Sequence, residues 1–228
     1  MYSLDFMYNG YKWIFFRSVI MKGFYINLDS RKDRRDHFED MKQQYPFLKN
    51  IERFSAIENT DGPLGCCMSH IQSMSLLDKC DEPYVAIFED DFTILNHEVF
   101  LQFIKDFDLI KDSDAWKVIV LTPRGTTITD NMNLPNFRKI VDHQTATGYI
   151  VKKDMLTVLI DTLKEAAQLQ IQGVEKDVSA NDQYWKRIQK TYSFYYYKNV
   201  FAGQLIGWSN IENRFVDYND RFMKQHLF

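Results

Sequence analysis

The chain has 228 residues, a formal net charge of −3, 45% hydrophobic and 15% aromatic side chains. This apolar content suits one large α/β domain or two small ones and excludes wholesale disorder. With no long Lys/Arg block, the composition also argues against nucleic-acid binding as the main role.

Residues 1–22 are apolar but interrupted by Lys12, Arg17 and Lys22. No stretch approaches the ~20 apolar residues of a transmembrane segment, and no small-residue cleavage site marks a secretory signal. An extra strand or helix packed on the domain is expected here, with peripheral membrane contact through Trp13, Phe15 and Phe16 as the alternative. Cys66, Cys67 and Cys80 are an odd, sparse set without zinc-type spacing, so they read as reduced thiols. The expected location is cytoplasmic.

Gly23 to Leu28 has the pattern of a first core strand. Ser30 stands three residues before Asp33, a variant of the capping box, and Phe38, Met41 and Tyr45 follow at helical spacing until Pro46. Arg31, Arg34 and Arg35 at this helix start suit a phosphate or nucleotide, although a solvated helix face is the alternative. A weak strand is expected in 50–57, then a helix from Met68 to about Lys79. Gly65 permits close backbone approach, and Ser69 and His70 fall in the first turns, where a structural histidine and a serine that caps or donates to backbone are the alternatives to a site role.

Pro83 to Leu95 is the centre of the pattern. The buried-strand run Tyr84–Phe88 ends in Glu89, Asp90 and Asp91, three adjacent anions that resist burial unless a positive charge joins them. A hard divalent cation, Mg²⁺ or Mn²⁺, meets that need and leaves positions for substrate phosphates; a solvated acidic turn is the alternative. An apolar stripe then predicts a helix over 97–110, and Lys117 to Thr122 a buried strand. A long polar loop is expected from Arg124 to Asn136, two strands at 137–141 and 145–151, and an amphipathic helix over 152–170. Asp182 falls in the first turn of a helix opened by Ser179. The remainder is aromatic and irregular, a short strand and a tail that packs back. Strands alternating with helices imply a largely parallel sheet, with ligands beyond the strands' carboxyl ends.

Taken together, YINLDSRKDRR (25–35), GCCMSH (65–70), VAIFEDD (85–91), TATGYIVKKD (145–154) and NDQYW…AGQLIGWSNIE (181–212) resemble glycosyltransferase family 25, the lipooligosaccharide and procollagen galactosyltransferase group. The resemblance implies a Rossmann-like α/β sandwich of the GT-A type over 23–212, preceded by the 1–22 extension and followed by a 213–228 tail. It implies a nucleotide-sugar donor, UDP-galactose before UDP-glucose or UDP-N-acetylglucosamine, and a glycan or glycoprotein acceptor. On that reading Asp91 and Glu89 hold Mn²⁺ or Mg²⁺, and Asp90 orients the ion or the ribose. Tyr25, Asn27 and Leu28 line the nucleoside pocket, Arg31 and Arg34 approach base, ribose or phosphate, and Ser69 and His70 support the donor. Gln204 and Ser209 contact donor phosphates or fasten the tail. Asp182 is the general base of an inverting displacement, or a helix-dipole residue. The motif is Glu-Asp-Asp rather than a strict Asp-x-Asp, which leaves open which carboxylate is the ligand. A catalytically silent binding module and a metal-dependent phosphohydrolase are the competing functions.

Overall fold

The computed structural model describes residues 6–8, 11–13, 20–130 and 134–219, with side chains described for 20–125 and 134–219. In chain order its strands and helices begin with β1 (Phe6–Tyr8), β2 (Tyr11–Trp13), β3 (Gly23–Asn27), α1 (Lys32–Gln44) and β4 (Ile51–Ser55). Next come α2 (Gly62–Leu77), β5 (Tyr84–Glu89), β6 (Phe92–Ile94), α3 (His97–Ile110), β7 (Val118–Val120), β8 (Arg124–Asp130), β9 (Phe137–Gln144) and β10 (Gly148–Lys152). The last third holds α4 (Leu156–Ile171), the single turns α5 (Lys176–Ser179), α6 (Asn181–Tyr184) and α7 (Lys186–Gln189), then β11 (Phe194–Tyr197), β12 (Ala202–Gln204), β13 (Gly207–Ser209) and β14 (Arg214–Val216).

Eight strands form the central sheet in the order β4-β3-β5-β10-β7-β11-β9-β8. β4, β3 and β5 pair in parallel, as do β7 and β11. β10 runs against both β5 and β7, so those five strands share one direction around a single reversed one. β9 and β8 extend the edge as an antiparallel pair.

Side chains alternate across this sheet with the strand period of two. Ala86 and Phe88, Ile119, Ile150, Tyr195 and Tyr197 face a layer built on α1 and α3 with Phe38, Phe100, Phe103 and Phe107. Val85 and Ile87, Val118 and Val120, Tyr149 and Val151, Phe194 and Tyr196 face the other layer, built on α2 and α4 with Met74, Leu159 and Leu163. The result is the expected α/β sandwich, helices on both faces of one sheet. Gly23 is required where β3 crosses β5, because a Cβ there would lie 1.9 Å from the Ala86 carbonyl oxygen.

Several local expectations change. Ser30 does not cap α1: Arg31 is the N-cap residue, and its guanidinium, which has no acceptor for a backbone N–H, binds Asp33 instead. α2 begins at Gly62 rather than Met68, started by the Asp61 carboxylate, which accepts from the Leu64 N–H, and by Pro63 in the first turn. The span 124–136 is not a plain loop, because Arg124–Asp130 pairs with β9. The two strands expected near 137–151 both form, in separate places: β9 joins β11, whereas β10 inserts between β5 and β7. Among the described residues β1 and β2 pair only with each other, and Phe15 and Phe16 lie outside those residues. The ribbon of β13 and β14 runs across residue 212, where the tail was expected to begin.

Phe103 is fully buried at the centre of the aromatic layer, in ring contact with Phe47, Phe100, Phe107, Phe137, Tyr197 and Phe201. Phe103→Ala should therefore cost about 3–5 kcal/mol of stability. A loss below ~1 kcal/mol in chemical denaturation would show that this layer is not the tightly packed one described.

Candidate active site

A cleft of about 710 Å³ opens at the carboxyl ends of β3, β4 and β5, in the usual size range of ligand pockets. Its floor is the acidic motif. β5 delivers Glu89, and the turn to β6 presents Asp90 and Asp91. Asp90 and Asp91 are 7% and 9% exposed, so the solvated-turn alternative does not apply.

Arg34, from the first turn of α1, neutralises part of this charge. Its Nη1 lies 2.8 Å from Asp90 Oδ1 and 3.1 Å from Asp91 Oδ2. Asp90 is further fixed by Asn27 Nδ2, which donates to its Oδ2 at 2.7 Å, while Arg53 Nε donates to Asn27 Oδ1. Asp91 Oδ1, by contrast, is buried and has no hydrogen-bond partner among the described residues. Burial, together with the charges of Glu89 and Asp90, pushes the Asp91 carboxyl up to about 7 despite Arg34. A cation suits such a group, because it stabilises the ionised form and occupies the orphaned oxygen.

Glu89 is differently placed. Its Oε2 accepts from the Thr147 hydroxyl at 3.3 Å, and its Oε1 faces His70 Nε2 at 3.4 Å and Cys66 Sγ at 3.7 Å. Burial works to raise its pKa, but the His70 and Thr147 hydrogen bonds and the positive Arg34 bring it below the ordinary value. Of the two carboxylates expected to hold a metal, Asp91 has the open oxygen and Glu89 is the engaged one.

Opposite the acidic floor stands Asp182, in α6. Its Oδ2 accepts the Thr145 N–H at 3.0 Å, and burial raises its pKa against that bond. Thr145 has φ +88°, a conformation rare for a β-branched residue. It is held on three sides: by Asp182, by its own hydroxyl donating to the Thr122 carbonyl at 2.6 Å, and by His143. The Arg124 N–H donates to His143 Nδ1, so the other ring nitrogen carries the proton and donates to the Thr145 carbonyl at 2.9 Å. Burial holds His143 neutral by lowering its pKa to about 3. Backbone strain of this kind costs roughly 1–3 kcal/mol and collects at functional sites.

Leu28, Arg31, Arg34, Ser69, Glu89, Asp90, Asp91, Asp182, Gln204 and Ser209 all line the cleft. Arg31 is bound to Asp33, the Trp208 carbonyl and the Asn210 side chain, which places the β13–β14 ribbon at the mouth. Gln204 lies in β12, which pairs with β6, and the adjacent Leu205 N–H donates to the Asp91 carbonyl. Three expected contacts are not made directly. Tyr25 is in the core rather than the cleft, stacked on Phe38 with its hydroxyl donating to Glu39, because strand alternation turns it toward α1. Asn27 lies behind Asp90, and His70 is fully buried behind Glu89 with Nδ1 3.0 Å from the Tyr149 hydroxyl. The Ser69 hydroxyl has two backbone partners, donating to Gly65 O and accepting from Ile57 N–H.

Sequence reasoning missed Arg53, Cys66, Thr145, Thr147 and Asn181. The only sequence signal for the threonines was the TATG stretch before β10; nothing local indicated that Arg53 in β4 reaches Asn27.

No match was found among curated proteins. Among solved structures, the chain is similar to a glycosyltransferase involved in glycosylation of the major capsid of PBCV-1, at 9% identity and a TM-score of 0.48, over 92% of this chain and 100% of that one. It is also similar to a mutant Drosophila beta-1,4-galactosyltransferase 7 in complex with manganese, UDP-Gal and xylobiose, at 10% identity and a TM-score of 0.42, over 89% of this chain and 74% of that one. Likenesses this distant carry no argument about activity. The model of glycosyltransferase family 25 (LPS biosynthesis protein) matches residues 58–185, which include the acidic motif, the strained threonine and Asp182. With more than half of its length matched, the chain belongs to glycosyltransferase family 25.

Proposed function

We propose that this transferase moves a hexose, galactose from UDP-galactose, to a glycan or glycoprotein hydroxyl by an inverting displacement that depends on Mn²⁺ or Mg²⁺. The observation that carries this reading is the buried Asp91 carboxylate, with one unpartnered oxygen on the floor of a cleft. Asp91 would be the principal ligand of the ion, with Asp90 held in place by Arg34 and Asn27. When bound, the ion supplies positive charge to offset that developing on the departing diphosphate.

The remaining work falls to side chains of this chain. Arg34 and Arg31 at the start of α1 bring fixed positive charge to the side of the cleft where phosphates would lie. Leu28, after β3, offers an apolar wall for the nucleoside, and Gln204 and Ser209 lie on the ribbon side. Asp182 would take the acceptor's proton. Burial raises its pKa, which strengthens it as a base, and the Thr145 N–H fixes one of its oxygens.

The direct test is release of UDP from a panel of UDP-sugars with Mn²⁺, with and without EDTA. Release confined to UDP-galactose and abolished by EDTA is the expected result. Binding without turnover would favour a silent module, and release that ignores EDTA would remove the ion from the reading.

Asp91→Asn should lower turnover by at least a hundredfold and weaken Mn²⁺ binding, read by calorimetry, while thermal unfolding stays cooperative. Wild-type turnover in this variant would eliminate Asp91 as the ligand. Asp182→Asn should reduce kcat by about 10²–10⁴-fold with little change in UDP affinity, the usual range for a lost general base. If UDP affinity falls as much as kcat, Asp182 serves by bracing Thr145 and not by proton transfer.

A further inference from the structure

Glu89, Cys66 and His70 bring a carboxylate, a thiol and an imidazole to one point behind the acidic floor. Their ligand atoms all lie within 4.8 Å of one another. Cys66 and His70 are four residues apart on α2, so one helix face presents both, and the end of β5 supplies the third. We propose that these three side chains form a site for a thiophilic divalent ion, of which Zn²⁺ is the best fit, distinct from the ion site at Asp91.

The geometry is close to what such an ion requires. Zinc bonds of about 2.0–2.3 Å place tetrahedral ligands roughly 3.3–3.8 Å apart. Glu89 Oε1 stands 3.4 Å from His70 Nε2 and 3.7 Å from Cys66 Sγ, so two of three edges already have that length. Thiolate and carboxylate together balance the dication while the imidazole stays neutral. Sulfur and nitrogen donors favour zinc over Mn²⁺ or Mg²⁺, which prefer oxygen.

The surroundings are those of a supported metal site. The Tyr149 hydroxyl, 3.0 Å from His70 Nδ1, can accept from that nitrogen while directing its own hydrogen toward Met74 Sδ at 3.9 Å. Without an ion the Nε2 proton is shared with Glu89; on binding, the proton moves to Nδ1, whose N–H the Tyr149 hydroxyl accepts, and the Nε2 lone pair is freed for the ion. Asn181 Nδ2 donates to Cys66 Sγ at 3.7 Å and steadies the sulfur. Cys66 and Glu89 line the cleft while His70 is fully buried behind them, so a fourth position opens toward the cleft. Binding replaces the Cys66 S–H bond with a metal–sulfur bond and releases that proton to solvent.

Cobalt is the probe, because a thiolate bound to Co²⁺ gives a charge-transfer absorption in the near ultraviolet that an oxygen-only site lacks. Titration of the reduced full-length protein should produce this band, saturating at one equivalent and bleached by Zn²⁺. Cys66→Ser and His70→Gln should each abolish or shift it, whereas Cys80→Ser and Asp91→Asn should keep it. Failure to see a thiolate band at saturating cobalt overturns the proposal, as does a band unchanged in both Cys66→Ser and His70→Gln. Loss of the band in Asp91→Asn would assign the ion to the aspartates and also overturn it. Since Asp91→Asn is expected to lose transferase turnover but keep the cobalt band, the two metal sites fail separately.

Discussion

Everything at this site depends on two nearly buried carboxylates sharing one guanidinium. Asp90 and Asp91 cannot both be ionised in a dry setting on the strength of Arg34 alone, because desolvating a charge costs more than one shared partner returns. The fold answers by giving Asp90 an amide donor as well, through Asn27 and, behind it, Arg53. Asp91 shares Arg34 and has Gln204 beside it, yet its Oδ1 has no hydrogen-bond partner among the described residues. That asymmetry is what the proposed cation would answer.

The same economy explains the architecture around it. β3, β4 and β5 run in parallel, so their ends bring Asn27, Ser55 and Glu89 to one edge. β10 is reversed between β5 and β7, and its first residues therefore start at that edge. The loop before it supplies Thr145 and Thr147 within reach of Asp182 and Glu89. A sheet parallel throughout would have sent that loop to the other end.

Much of this was readable in the chain. The run from Tyr84 to Phe88 ending in three acids announces a strand that terminates at a charged site, and the stripe through Phe100, Phe103 and Phe107 announces α3 with its bounds intact. What was not readable depends on partners distant in sequence. Tyr25 sits in the strand expected to line the nucleoside pocket, yet alternation sends its ring to Phe38; the strand was legible, its facing was not. The early start of α2 was hidden because Gly62, Pro63 and Gly65 read as a turn until Asp61 is seen capping them. The positive φ of Thr145 has no local signature at all, since the groups that enforce it come from residues 122, 143 and 182.

Arg34 has a second obligation. While Nη1 faces the aspartates, Nη2 donates to the Trp208 carbonyl, and Arg31 Nη1 donates to the same oxygen. The hairpin at the rim is thus tethered through the very cation that offsets the acids below. By thermodynamic reciprocity, whatever displaces that guanidinium from the aspartates also slackens the hairpin, and whatever pulls on the hairpin alters the charge felt at the acids. Anchorage at the rim and electrostatics at the base thus share one side chain.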